Sequence, residues 1–527
     1  MRADMVEDVA AAGPKGGRPS GLIPDGWIWH CGLILLLALV IVMINPRGYI
    51  GGGWDDGRYL AAATQWVEQG PVIGANHWAL RWPLVLPVAG LLKLFGPSRI
   101  ILMLPGIAAW VGLALVNYAG LRCTINSRVA LLAGISIIAT PGFVYWAPAI
   151  YPDTLEVLFW SVALWSIWFA SRSENEARQC RWMLVAGLAV ALSVGLRETV
   201  VTLLLVMALV MWRVKAIQPR AWMVCALAAL PLPLIEHMSY WIATGDPIYR
   251  LHVDMRHITI PSSDMRGSVA IGINAPFNPE LMERWFGSGP VRLHWLVDPY
   301  INLFANIHYG YSFVAAALLG LAARWKRLSI QGVDRQLVLW LLVIAALNIV
   351  VITYVLALRP GPRMFVAATV AATLIAAILA DRLWGGFWRA AILIMLLARG
   401  ITSLVVSDVA PNFAAADKLA EQMVPKGVPL HVDWSTHAHL ALARPALRET
   451  MVMKPALPGE YQLIVAVSSD KTRNQPPPGR WREVADRKTG HVPWSVRIFV
   501  PLFQQFGLMR NLAYREVEVR LLQRLPD

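Results

Sequence analysis

Charged residues are scarce in this chain. Lys, Arg, Asp and Glu together make up 15% of its 527 residues, whereas hydrophobic residues make up 57%. Soluble globular proteins carry about 25% charged and roughly 45–50% apolar residues. The composition therefore excludes a soluble cytosolic enzyme, a disordered protein and a disulfide-rich secreted scaffold. It indicates an integral membrane protein.

Cysteines are few, and internal repeats are absent. The four cysteines, Cys31, Cys123, Cys180 and Cys225, show no pair at metal-ligand spacing. This spacing argues against a zinc site and against a disulfide framework. No internal repeat is visible, which weakens the case for a transporter built from inverted halves.

Long apolar runs dominate the rest of the chain. A spanning helix needs about 20 apolar residues, and the first run, 27–44, has no small-residue cleavage site behind it, so it is read as an uncleaved span. The later runs are 99–121, 128–147, 154–170, 182–196, 199–212, 221–243, 302–322, 337–357, 364–381 and 390–407. The sequence thus predicts a polytopic α-helical protein with about 11 transmembrane helices. The shorter run 83–96 contains Lys93 and is interpreted as a juxtamembrane or re-entrant helix.

The net charge of +14 is distributed unevenly. Basic residues fall in alternate connections: Arg122 and Arg128; Arg172, Arg178 and Arg181; Arg213, Lys215 and Arg220; Arg324, Lys326, Arg327 and Arg335; Arg382 and Arg389. Lys and Arg mark cytoplasmic loops. The pattern predicts a cytoplasmic N-terminal tail (1–26), a transmembrane domain (27–407) with external loops 45–98 and 244–301, and a soluble external C-terminal domain (408–527).

The C-terminal domain has the pattern of a small α/β unit. Residues 414–423 are helix-like, and 429–432, 462–467 and 516–522 are predicted strands. The stretch 496–514 is either an amphipathic helix on the membrane surface or an ordinary core helix.

Two adjacent carboxylates, Asp55 and Asp56, follow the first span directly. Desolvation and like-charge repulsion both raise a carboxyl pKa, which is how a general base is tuned. The alternative is structural, since either residue can cap a helix over Tyr59 to Glu68.

A series of short motifs then follows in order. Asp55-Asp56 is followed by Gly70, by Pro83-Leu84 and by Leu94-Phe95-Gly96. This order resembles the first external loop of GT-C glycosyltransferases that use polyprenyl-phosphate sugars. That group includes the lipid A aminoarabinose transferases, the protein O-mannosyltransferases and bacterial lipopolysaccharide-core glycosyltransferases. The resemblance covers residues 27–212 well and the remaining spans loosely.

The resemblance implies roles for particular residues. A second acidic residue of the family matches Asp153, which can also act as a helix N-cap with Glu156 as its capping-box partner. The catalytic residues are then Asp55, Asp56 and Asp153. The implied donor-phosphate contacts are Arg58, Arg81, Arg197 and Arg363, and the implied sugar or acceptor contacts are Tyr59, His77, Glu198 and Arg256.

The implied activity is transfer of a sugar from a polyprenyl-phosphate donor to an acceptor in the cell envelope. The acceptor would be a lipopolysaccharide, a glycolipid or a polysaccharide, met on the periplasmic face of a bacterial inner membrane. Asp55 would be the general base of an inverting displacement, with no nucleotide and no metal required. If the acceptor were itself a phosphate, Asp55 would have only a positioning role. Two alternatives stay open: a polysaccharide ligase or polymerase with a polyprenyl-diphosphate donor, and a lipid or solute transporter.

Other ionisable residues are left without a site. Glu236 and His237 lie inside an apolar run and are expected to pair with each other or to line a cavity. Metal binding by the histidines of the 244–301 loop or of the C-terminal domain is not favoured, because no ligand motif accompanies them.

Overall fold

The computed structural model describes residues 26–44, 55–258, 300, 303–304, 306–328, 332–355, 363–408, 412–433, 436–437, 440–441, 444–468, 475–490, 492–505 and 516–526. Within these ranges the chain is mainly helical. A small β-sheet forms in the C-terminal region.

The helices before residue 260 include all of the predicted apolar runs there, although the runs 128–147 and 221–243 are each divided into two helices. They are α1 (Trp27–Ile44), α2 (Asp55–Gln69), α3 (Trp82–Phe95), α4 (Arg99–Thr124), α5 (Ser127–Ile138), α6 (Pro141–Trp146), α7 (Pro152–Ser171), α8 (Glu176–Leu196), α9 (Val201–Arg213), α10 (Pro219–Ala229), α11 (Pro231–Thr244) and α12 (Tyr249–Ile258). One 3₁₀ turn, Glu198–Val200, joins α8 to α9.

The later helices are α13 (Ser312–Trp325), α14 (Gly332–Val350), α15 (Val366–Arg382), α16 (Gly386–Asp408), α17 (Phe413–Met423), α18 (Pro445–Arg448) and α19 (Trp494–Gln505). A π-helical turn, Val351–Val355, extends α14.

Six helical stretches in the described part of the chain are long and apolar enough to cross a membrane. They are Ile100–Thr124, Pro152–Ser171, Glu176–Leu196, Pro219–Thr244, Gly332–Val355 and the stretch that contains helix α16 (Gly386–Asp408). Four shorter apolar helices accompany them: Trp27–Met43, Trp82–Phe95, Ser127–Ile138 and Ser312–Trp325. The polytopic helical architecture is confirmed, while the count of about 11 spans stays a prediction.

Local signals explain where several helices begin and end. The side chains of Ser98, Asn126 and Asn175 each accept a hydrogen bond from a backbone N–H in the first turn of α4, α5 and α8. Such caps satisfy donors that have no partner within the helix. Helix α2 stops at Gly70, whose φ of 77° lies in the left-handed region that glycine adopts without strain.

The helices form one bundle with a continuous apolar core. Helix α7 packs against α4 and α8, and α8 packs in turn against α10. Helix α15 packs against α13 and α14 and also against α5 and α7, so it joins the two halves of the bundle. The short run 83–96 forms helix α3, which packs on α2, α4 and α8 and thereby holds α2 against the end of the bundle.

The C-terminal sheet has five strands: β1 (Leu430–Val432), β2 (Met451–Val452), β3 (Tyr461–Val467), β4 (Trp481–Lys488) and β5 (Val517–Arg524). Their order is β2-β1-β3-β5-β4. Strand β1 is parallel to β2 and β3, and β5 is antiparallel to β3 and β4. Helix α17 and the strands β1, β3 and β5 match the sequence prediction. Edge strand β4 does not, because its charged, mostly exposed side chains give no apolar pattern.

The two ends of the bundle differ in charge. One end, called the Asp55 end, carries α2, the start of α7 and the turn between α8 and α9. The other, called the basic end, brings the predicted basic connections together. Arg128 pairs with Asp381 at 3.1 Å, and the Arg382 Nε lies 2.8 Å from Asp334.

Candidate active site

Helix α2 places two carboxylates at its own N-terminus. Asp55 and Asp56 lie in the first turn, where negative charge is favoured by the helix dipole. Asp56 is buried, and its Oδ1 accepts a hydrogen bond from the Gly57 N–H at 3.0 Å. The Asp55 side chain is 37% exposed. Of the two carboxylates, Asp55 is therefore the one that a ligand approaching from the solvent can contact.

Arg363 links Asp55 to Asp153, which is distant in the sequence. The Arg363 Nη1 donates to Asp55 Oδ2 at 3.0 Å, and its Nε donates to Asp153 Oδ2 at 3.1 Å. The guanidinium also lies over the Tyr151 ring, 4.3 Å from its centroid. One planar side chain thus holds two carboxylates and is itself supported by an aromatic face.

Asp153 has a second arginine partner. It is fully buried, and its Oδ1 accepts a hydrogen bond from Arg197, which follows directly after α8. The interpretation of Asp153 as a helix N-cap is wrong, because the N-cap position of α7 belongs to Tyr151 and shows no side-chain cap. Glu156 is not a capping-box partner either, since it accepts a hydrogen bond from the Thr199 hydroxyl at 2.5 Å. Both carboxylates are committed to long-range contacts instead.

Glu198 extends the network to Arg81. Its carboxylate lies 3.9 Å from Arg197 and 3.6 Å from Arg81. Arg81 donates to the Tyr59 hydroxyl at 2.5 Å. These contacts form a continuous series of alternating charges, called here the charge chain. Its members, in order, are Asp55, Arg363, Asp153, Arg197, Glu198 and Arg81. Three of the four predicted phosphate-contacting arginines belong to it.

Ionisation states follow from these contacts. Burial disfavours the charged form of Asp55, but the Arg363 guanidinium outweighs this and holds the pKa of Asp55 below its usual range. Burial also disfavours the charged form of Glu198, but Arg81 and Arg197 outweigh this and lower the pKa of Glu198 to about 2. Burial raises the pKa of Tyr59 to about 12. At neutral pH both carboxylates are therefore ionised and the phenol is protonated.

The remaining predicted site residues lie apart from the charge chain. The Arg58 guanidinium lies over the Trp78 ring, 3.8 Å from its centroid. His77 is buried against the same tryptophan, with the two ring centroids 3.6 Å apart. Arg256 is in helix α12, and its side chain lies outside the described part of the structure.

Glu236 forms a second buried cluster beside the charge chain. It accepts hydrogen bonds from Arg250 at 3.0 Å and from the Tyr240 hydroxyl at 2.5 Å. Of the two alternatives for Glu236 and His237, a pair between them is wrong, since the His237 ring bonds the Pro233 carbonyl. The sequence does not show that Arg250, 14 residues further along, faces Glu236 across the turn between α11 and α12.

Two of the histidines considered above as possible metal ligands lie beside carboxylates. His252 lies 2.7 Å from Asp246, and His431 lies 2.8 Å from Glu460. Among the described residues, no three His, Cys, Asp or Glu side chains are grouped as metal ligands would be.

Three contacts at the site were missed by sequence reasoning. Tyr151 lies under Arg363, Met364 Sδ is 3.0 Å from Arg197, and Thr199 bonds Glu156. Each lies within two positions of a predicted site residue in the sequence. Their adjacency was the available signal, whereas their direction depends on the packing of α7 against α8.

The fold of this helix bundle is similar to that of the GT-C glycosyltransferases. The crystal structure of ArnT from Cupriavidus metallidurans bound to undecaprenyl phosphate superimposes with a TM-score of 0.50 at 13% identity, covering 94% of this chain and 98% of that one. The Archaeoglobus fulgidus oligosaccharyltransferase in the apo form gives a TM-score of 0.48 at 12% identity, over 81% of this chain and 64% of that one. The superposition on the ArnT structure confirms, at the level of the fold, the GT-C resemblance predicted from the motifs.

A family model matches part of the sequence. Residues 74–241 match the family described as "Dolichyl-phosphate-mannose-protein mannosyltransferase". The matched segment contains Arg81, Asp153, Arg197 and Glu198, whereas Asp55 and Arg363 lie outside it. No curated protein sequence gives a significant match.

Proposed function

We propose that this protein is an integral-membrane glycosyltransferase that moves a sugar from a polyprenyl-phosphate donor to an acceptor of the cell envelope. The observation that carries the proposal is the bridging of Asp55 and Asp153 by Arg363. A phosphate-binding cation and a carboxylate base are in direct contact there, at one end of a membrane helix bundle. The family match and the GT-C fold support the same activity.

The donor phosphate binds at Arg363. Of the two arginines on Asp153, Arg363 is 25% exposed and Arg197 is 3% exposed, so an incoming ligand meets Arg363 first. A guanidinium binds phosphate oxygens in a planar, bidentate geometry and stays charged in a dry site. The phosphate displaces Asp55 from Arg363, and the buried Arg197 adds a fixed positive charge behind it.

Displacement of Asp55 prepares the base. In the donor-free protein, Arg363 keeps Asp55 ionised but weakly basic. Once the phosphate takes over Arg363, the neighbouring negative charge raises the basicity of Asp55. Donor binding therefore activates the base that the acceptor needs.

The reaction is a single displacement at the anomeric carbon. The acceptor hydroxyl oxygen forms the new bond to that carbon as the bond to the phosphate oxygen breaks. The hydroxyl proton passes to Asp55, and polyprenyl monophosphate leaves with the bonding electron pair. Arg363 and Arg197 stabilise its charge, which is an electrostatic contribution that preorganised sites make large. The product has the inverted anomeric configuration.

The remaining parts of the proposal concern location and cofactors. The basic end lies in the cytoplasm by the positive-inside rule. The Asp55 end and the C-terminal sheet then face the periplasm of a bacterial inner membrane, where a lipopolysaccharide, glycolipid or polysaccharide acceptor is met. The reaction uses no nucleotide and no metal, so we expect transfer to be unchanged by EDTA.

The test is transfer from a panel of synthetic polyprenyl-phosphate sugars to a membrane lipid extract. Wild type is compared with Asp55→Asn and with Glu176→Gln, which removes a carboxylate from an exposed ion pair at the basic end. We expect wild type and Glu176→Gln to release polyprenyl monophosphate from one donor, and Asp55→Asn to lose roughly 10²–10⁴-fold in rate.

Two results would contradict the proposed class of enzyme, and a third would contradict the role of Asp55. Release of polyprenyl diphosphate from a diphosphate-linked donor would favour a ligase or polymerase. Movement of labelled lipid or solute across vesicles without consumption of any donor would favour a transporter. Wild-type turnover by folded Asp55→Asn would remove the base mechanism.

A further inference from the structure

A second polar cleft lies beside α2, separate from the charge chain. It has a volume of about 410 Å³ and is lined by one face of α2 and by the segment that leads into α3. Its polar side chains are Arg58, Gln65 and Asn76, and Trp78 forms an aromatic wall. The small side chains of Ala62 and Ala79 leave the space between these walls open.

The helical period connects this cleft to the proposed base. Residues 55, 58, 62 and 65 are spaced by three or four positions, so they follow one another along one face of α2. Arg58 is one helical turn from Asp55, a rise of about 5 Å. Trp78 lies under Arg58 and is also close enough to Asp55 to help Arg363 lower the pKa of that carboxyl, so it connects the two regions. A molecule seated in the cleft therefore reaches Asp55 with its next group.

The chemistry of the cleft fits an anionic saccharide. The side-chain amides of Gln65 and Asn76 provide hydrogen-bonding groups for a sugar, and the Trp78 ring supports the Arg58 guanidinium that lies over it. Arg58 is exposed and its guanidinium lies over the Trp78 ring, so its N–H groups are accessible to a phosphate or a carboxylate. Gln65 and Asn76 are the polar groups nearest to such a ring, and neither is charged.

We propose that this cleft binds the acceptor, and that the acceptor carries an anionic group on the sugar next to the one that is glycosylated. The proposal rests on the glycosyltransferase function proposed above. It changes the role expected for Arg58, because the described contacts of Arg58 place it in the cleft with Trp78, whereas the other three predicted phosphate-binding arginines belong to the charge chain. Arg58 then determines acceptor specificity and leaves donor affinity unchanged.

The first experiment measures direct binding to the full-length protein in nanodiscs by saturation-transfer NMR. The probes are glucose 6-phosphate, glucuronate and glucose, so that phosphate, carboxylate and neutral sugars are compared. The variants are Arg58→Gln, Arg58→Lys and the control Arg220→Gln, an exposed arginine of the basic end. We expect wild type and Arg220→Gln to bind the anionic probes better than glucose. Arg58→Gln should lose this difference, and Arg58→Lys should keep part of it.

The second experiment separates acceptor from donor. With transfer to the lipid extract as the readout, we expect Arg58→Gln to raise the KM for the acceptor at least tenfold and to leave the KM for the donor within twofold. A raised donor KM with unchanged acceptor KM would overturn the proposal and return Arg58 to the donor phosphate. Equal binding of all three sugars by wild type and Arg58→Gln would also overturn it.

Failure of this inference is distinguishable from failure of the proposed function. If the cleft does not bind acceptor, Asp55-dependent release of polyprenyl monophosphate persists and only the Arg58 results change. If the proposed function is wrong, wild type consumes no donor, regardless of which sugar probes bind to the cleft.

Discussion

Arginine–carboxylate pairs occur at both ends of the bundle, but their surroundings differ. At the basic end the guanidinium groups reach water: the side chains of Arg128 and Arg220 are 56% and 73% exposed. At the Asp55 end Arg197 and Arg81 are 3% and 8% exposed. Exposed pairs contribute little to stability, whereas a buried charge that loses its partner is costly. The difference indicates that the Asp55 end is organised for chemistry, because stability alone does not require Arg197 and Arg81 to be buried there.

The largest effect is expected from Asp153→Asn. This change removes the carboxylate that neutralises both Arg197 and Arg363, and it leaves the buried Arg197 guanidinium facing the partly exposed Arg363. We expect a loss of about 3–5 kcal/mol in the free energy of unfolding, measured by chemical denaturation in detergent micelles.

The matched control for that experiment is Asp381→Asn at the basic end. It releases Arg128, whose side chain is largely in water, so the loss should stay below about 1 kcal/mol. Equal losses for the two variants would show that burial does not distinguish the ends.

Arg363→Lys is expected to have the next largest effect. Lysine keeps the positive charge but cannot contact Asp55 and Asp153 with two separate N–H groups of one rigid plane. We expect the donor KM to rise about 10–100-fold, with stability close to wild type. Unchanged donor kinetics would place the donor phosphate elsewhere than at Arg363.

The pH dependence sharpens the comparison further. Folding lowers the pKa of Asp55 below the pKa that this side chain has in the unfolded protein. The ion pair between Asp55 and Arg363 is therefore present above the pKa of the unfolded protein, and it is lost only as the pH falls through the lower pKa of the folded protein. The kcat/KM profile reports the free enzyme. We therefore expect no acid limb above about pH 4. An acid limb near neutrality would mean that Arg363 does not hold Asp55 in the free protein.

The smallest effect is expected at the exposed pair of Arg220 and Glu176. A double-mutant cycle with Arg220→Gln and Glu176→Gln should give a coupling energy below about 0.5 kcal/mol and leave transfer within twofold of wild type. A coupling above about 2 kcal/mol would show that the basic end is not a simple solvated surface.

The sequence predicted most of the helices because apolar runs of spanning length can be identified without knowledge of the fold. It also predicted strands β3 and β5, whose buried side chains leave an apolar pattern. Strand β4 was missed because an edge strand with charged, exposed side chains shows no such pattern. A strand can be predicted in this way only where its buried side chains give an apolar pattern in the sequence.

The candidate site was predicted in its members but not in its connections. Asp55, Asp153, Arg197 and Arg363 were selected from short motifs, yet their pairing joins residues up to 308 positions apart. Which arginine meets which carboxylate depends on how α7, α8 and α15 pack. The separation of Arg58 from the other arginines likewise follows from the face of α2 that it occupies. A motif that lists residues in order does not contain that information.

The central claim is that a lipid phosphate replaces Asp55 at Arg363. The most direct test is the affinity of purified protein for polyprenyl monophosphate, measured by titration of wild type, Asp55→Asn and Arg363→Gln. The account predicts that Asp55→Asn binds at least as tightly as wild type, since it removes a competing negative charge, and that Arg363→Gln binds at least tenfold more weakly. Weaker binding by Asp55→Asn, or unchanged binding by Arg363→Gln, would contradict it.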